Sequence, residues 1–214
     1  MKAMFKYHQH KISEYALQSP DHTANVAITV VLSIQQAWKN IGIQSDNVRE
    51  YGIESKYLFG HKKSAYAHIM ANKKQLYSSI FYDDISAAER LLNVAGTPGL
   101  GLCKAGFVLQ LCIGEAGCLD VHNLTRFGLS ASTFKLGKVK YDTALRKAQL
   151  YLQTIDNLGG TEYLWDSWCE FMADKYPKHY KDANHVSKLH VDYFIRFLKH
   201  WFRPLVYDFQ WKLE

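Results

Sequence analysis

The stretch Ser86 to Arg126, SAAERLLNVAGTPGLGLCKAGFVLQLCIGEAGCLDVHNLTR, restricts the fold more than any other part of the chain. A short helical pattern over Ala87 to Val94 breaks at Gly96, Thr97 and Pro98, and a tight apolar hairpin follows, Pro98-Gly99-Leu100-Gly101. The next segment, Leu102 to Ile113, is apolar nearly all round, and a helix of that kind has to be buried. Two glycines one residue apart at the mouth of a buried helix let the backbone turn with positive φ. They also leave unpaired N–H groups facing outward, where an anion meets no Cβ, and phosphate is the natural ligand.

After that helix, Gly114 and Gly117 bracket a loop leading to Leu119-Asp120-Val121-His122-Asn123, so a carboxylate follows closely. Helix, PGLG hairpin, helix, glycine loop and Asp together resemble the helix-hairpin-helix and following Asp of the base-excision DNA glycosylase superfamily. A second likeness lies upstream. Val31 to Gln36, VLSIQQ, is similar to an early helix of that family whose Gln enters the gap left by an extruded base.

The resemblance implies an all-α fold of two helical lobes with a cleft for double-stranded DNA between them. The central lobe would take 25–126 with the helix-hairpin-helix at 87–113; 1–24 and 127–214 would form the other. It implies that Gly99, Leu100 and Gly101 hold a DNA phosphate, that Gln35 is the wedge, and that Asp120 is the carboxylate beside the extruded nucleotide. In members that only hydrolyse, that carboxylate stabilises positive charge developing on the sugar and orients the attacking water. Read from the residues alone, Asp120 is also suited to cap the helix that follows it. His122 and Asn123, directly after it, are placed to help position a substrate. No cofactor is required, although the family's hairpin often holds a monovalent cation through backbone carbonyls.

Members that also cleave the strand carry Lys two residues after the second hairpin glycine. Cys103 holds that place here, and Lys104 follows about a quarter turn further round the helix. Lys104 has three readings: a phosphate contact, a nucleophile or acid whose pKa burial has lowered, or a lysine that snorkels to solvent. Cys103, Cys112, Cys118 and Cys169 are not spaced for the iron–sulfur loop of some relatives, so no cluster and no metal are expected, and Cys118 needs no role beyond packing.

Composition sets the outer limits. With 48% hydrophobic and 21% charged residues, 214 residues suffice for a substantial core. A net charge of +6 suits a polyanionic partner without demanding one. Four unevenly spaced cysteines point to reduced thiols and an intracellular setting. No signal-peptide h-region and no apolar run of about 18 residues is present, so no membrane span is expected.

The remainder reads as helices without alternating strands. Met1 to Ser19 reads as a solvated basic arm carrying His8 and His10. Asn25 to Ile41 reads as a helix ended by Gly42, and Gln44 to Phe59 as irregular. A helix is expected over Lys62 to Ile80, with Lys62, Lys63, Lys73 and Lys74 on a solvated face, then Asp83 and Asp84 as helix-start residues. Tyr141 to Leu158 and Thr161 to Ala173 read as helices parted by Gly159-Gly160, and Val186 to Phe202 as the last. Trp165, Trp168 and Phe171 serve either as core or as a stacking platform for a base.

Three functions fit. The first is a glycosylase hydrolysing the bond between sugar and base. The second is a transferase on the same scaffold that attaches an amino acid or amine to an activated thymine. The third is a non-catalytic helix-hairpin-helix DNA-binding protein.

Overall fold

The computed structural model describes residues 4–34, 38–189 and 192. Among them every regular element is helical: α1 (Met4–Leu17), α2 (Pro20–Leu32), α3 (Trp38–Tyr51), α4 (His61–Phe81), α5 (Ala87–Ala95), α6 (Gly101–Ile113), α7 (Val121–Arg126), α8 (Tyr141–Asn157) and α9 (Gly160–Lys175), with two short 3-10 turns and a further helical run at 183–189. No described helix is long and apolar enough to cross a membrane.

Two helices form the centre. In α2 every residue from Thr23 to Leu32 is buried, and in α6 every residue from Ala105 to Cys112. α2 packs against α1, α3, α4 and α6, while α6 also receives α1 and α5. The β-branched run of α2 has modest helix propensity, so burial carries it. Ser19 caps its start and Pro20 occupies the first turn, where a missing N–H costs nothing. Its buried hydroxyls are satisfied locally: Thr23 Oγ1 donates to Ala16 O at 2.8 Å, and Thr29 Oγ1 to Asn25 O at 2.8 Å.

Several sequence expectations need correction. The helix expected over 25–41 is two helices, α2 ending at Leu32 and α3 starting at Trp38, and Ser33 Oγ donates to Val30 O at 2.6 Å just past the end of α2. α3 then runs through Gly42 and covers much of the stretch read as irregular. The N-terminal segment is no arm: Ile12 and Ala16 of α1 are fully buried, and Gln9 Nε2 donates to Leu111 O of α6 at 3.1 Å. His10 pairs with Glu14 at 3.1 Å on the exposed face. The His8 side chain, Gln35 and most of the helix expected over 186–202 lie outside the described residues.

Lys62 is the sharpest departure. Expected in solvent, it is only 2% exposed, and Nζ donates to Leu32 O at 3.1 Å, satisfying an orphan carbonyl at the end of α2. Desolvation, with repulsion from Lys104, lowers its pKa. Asp83 and Asp84 do not start a helix either. Asp83 Oδ1 accepts from Ser78 Oγ at 2.7 Å, and α5 is started by Ser86. Trp165 belongs to the core, 7% exposed with Nε1 donating to Ser187 Oγ at 2.9 Å, while Phe171 stacks under the Arg126 guanidinium 5.0 Å from its ring centre.

Candidate functional site: the bend before α6 and the Asp120 segment

α5 ends with Gly96, whose N–H reaches Leu92 O, and the chain then turns through Thr97 to Leu100, with Leu100 N–H donating to Thr97 O at 3.1 Å. Gly99 has φ +83° and Gly101 φ +55°, both in the left-handed region. Leu100 is 4% exposed and anchors the bend, whereas Pro98, Gly99 and Gly101 stand at the surface. Gly99 lies against the His61 ring, where an added Cβ would come within 3.0 Å of Cδ2; at Gly101 nothing lies within 4 Å. No side chain caps the start of α6, and none caps α4, which begins beside it at His61. Two helix N-termini with their partial positive charge thus flank one exposed bend.

Lys104 is half-buried in the first turn of α6, its ammonium 5.7 Å from the centre of the Phe107 ring. Burial opposes its charge, but Cys118, Cys103 and the Asp120 carboxylate together hold its pKa above the ordinary value. That direction is the opposite of the lowering a nucleophilic amine needs.

Asp120 sits at the N-cap of α7, where Oδ1 accepts from His122 N at 3.1 Å and from Asn123 N at 3.0 Å. His122 is exposed beside it. Asn123 is turned inward and engaged at both ends of its amide: Nδ2 donates to Cys118 O at 2.8 Å, and Oδ1 accepts from Arg126 Nη1 at 3.0 Å.

One packing detail brings the two segments together. Gly106 lies so close to the loop that an added Cβ would meet Gly117 O at 2.4 Å. Buried Tyr151 of α8 clamps that loop, donating its hydroxyl to Gly117 O at 2.5 Å and accepting from Leu119 N at 2.9 Å. Cys118 then falls against the first turn of α6, its Sγ 3.7 Å from Cys103 Sγ. The Cys118 hydrogen bond, aided by Lys104 and opposed by burial and Asp120, lowers the Cys103 pKa; the same contact and burial raise that of Cys118.

No protein-family model, curated protein or solved structure matches the chain.

The functional reading therefore rests on these residues. The structure gathers Gly99, Leu100 and Gly101 in one bend, and Lys104, Cys103, Cys118 and Asp120 within electrostatic range of one another beside it. Sequence reasoning missed Tyr151, His61 and the Cys103–Cys118 contact. Only the Gly106 and Gly117 pair hinted at the last, since close backbone approach needs glycine. A separate cleft of about 200 Å³ runs between α4 and α5, lined by His68, Asn72, Gln75, Ser79, Asn93 and Thr97 among others, and it contains none of the residues expected at the site.

Proposed function

We propose that the protein binds double-stranded DNA through the bend 98–101 and acts on a base extruded from the duplex, hydrolysing its bond to the sugar with Asp120 as the carboxylate. One observation carries this reading. A helix start with no side-chain cap, open at Gly101, has Lys104 in its first turn and a carboxylate within electrostatic range. Unpaired amides and Lys104 suit a phosphate, and a carboxylate nearby suits positive charge developing on a sugar. The reading divides the chain into lobes at 25–126 and at 1–24 with 127–214, and it carries an intracellular setting and no required cofactor beyond a cation at the bend. Transfer to an activated thymine would use the same grip and differ in its co-substrate.

The cap geometry favours a second reading, a non-catalytic DNA-binding protein in which Asp120 only starts α7. Asp120→Asn separates the two, because Asn caps a helix about as well as Asp while removing the charge. Duplexes carrying uracil, 8-oxoguanine or an alkylated base are incubated with each protein and then treated with alkali. The first reading expects strand breaks from the wild type and a loss of at least about 100-fold in the variant, with duplex affinity kept. Binding without breaks in either protein leaves the second reading.

A further inference from the structure

The four cysteines fall into two kinds. Cys112 and Cys169 are buried, and burial raises both pKa values. Cys103 and Cys118 are each partly exposed, they come from different segments, and their sulfurs touch at 3.7 Å. Free thiols more often pack singly among apolar groups. These two face each other at a helix N-terminus next to an ammonium, the setting in which a thiol gains thiolate character.

We propose that Cys103 and Cys118 form a reactive dithiol that takes small disulfides of the glutathione class and closes to an intrachain disulfide, tying the first turn of α6 to the segment carrying Asp120. Both sulfurs sit on held backbone, Cys103 in the helix and Cys118 in the loop that Tyr151 clamps, so closure needs their contact shortened by roughly 1.6 Å to a bond length.

The reaction balances as ordinary thiol–disulfide exchange. The Cys103 thiolate, favoured by the hydrogen bond from Cys118 and by Lys104, attacks one sulfur of glutathione disulfide. That S–S bond breaks, and one glutathione leaves and takes up a proton. Cys118 then gives its proton to solvent and attacks Cys103 Sγ, and the second glutathione leaves as a thiol. Two cysteine thiols are oxidised and one glutathione disulfide is reduced. The inference does not depend on the nucleic-acid reading.

The test uses the full-length reduced protein with glutathione disulfide at neutral pH, followed by alkylation and non-reducing peptide mapping. The expected product is a peptide linking Cys103 to Cys118, with Cys112 and Cys169 alkylated only after denaturation. Cys118→Ser should stop at the first step and retain glutathione on Cys103. The inference is overturned if the wild type keeps both thiols free, if glutathione stays on Cys103 without an internal link, or if the link pairs with Cys112 or Cys169. It is equally overturned if Cys118→Ser takes up no glutathione at Cys103.

Discussion

α5 and α6 are neighbours in sequence and in space, yet their N-termini are built in opposite ways. α5 starts with a closed capping box: Ser86 Oγ accepts from Glu89 N at 3.3 Å, and Glu89 Oε2 accepts from Ser86 N at 2.9 Å. α6 has Leu100 at its N-cap, which offers no side-chain acceptor, and its first residue, Gly101, has open space around it. The first arrangement consumes its orphan donors for stability. The second supplies no side-chain acceptor for them, because the cap position is held by the buried, anchoring Leu100.

The contrast can be broken at its foundation by Gly106→Ala, the largest expected effect. The new methyl would run into Gly117 O, a backbone atom held by Tyr151, so α6 and the Asp120 segment must part. A loss of about 3 kcal/mol is expected in urea unfolding, together with loss of the Cys103–Cys118 contact. Gly101→Ala should cost about 1 to 2 kcal/mol, because φ there is +55° while no atom blocks the methyl, and it should weaken duplex binding several-fold. Ser86→Ala should cost about 1 kcal/mol and leave duplex binding unchanged. Equal effects of these last two on binding would erase the distinction between the two starts.

The start of α2 sharpens the comparison as a further satisfied terminus, where Ser19 caps and the half-buried His22 ring packs edge-on against Tyr15 at 4.3 Å. Burial, against a smaller opposing pull from Asp21, lowers the His22 pKa below 6.5. The folded form therefore resists a proton that the unfolded chain accepts. Stability should be full above about pH 6.5 and fall as pH drops through the folded pKa. His22→Gln should flatten that fall in urea midpoints measured across the range, the smallest effect of the series.

What could be read in the sequence was what neighbours in the chain decide. α5, α6, α8 and α9 begin and end close to where glycines and apolar periodicity put them, because those signals act within a turn or two. The features that escaped depend on distant partners. Lys62 is buried because Leu32 O, thirty residues away, needs a donor, and nothing around Lys62 records that. α1 hides Ile12 and Ala16 among basic residues, so its buried face becomes visible only when α6 is laid against it. At the bend, the positive φ of Gly99 and Gly101 was legible, as was the cap at Asp120. The thiol pair was not, since its contact is made by Gly106, Gly117 and Tyr151 acting from three segments.

Most directly, the central claim is tested by the affinity of the full-length protein for a defined duplex across a range of salt concentrations, compared with Lys104→Gln. If the bend before α6 faces a phosphate backbone, the wild type binds with a steep inverse salt dependence and the variant binds more weakly, its log–log slope shallower by about one. Absence of duplex binding by the wild type, or identical slopes for the two proteins, would contradict the account.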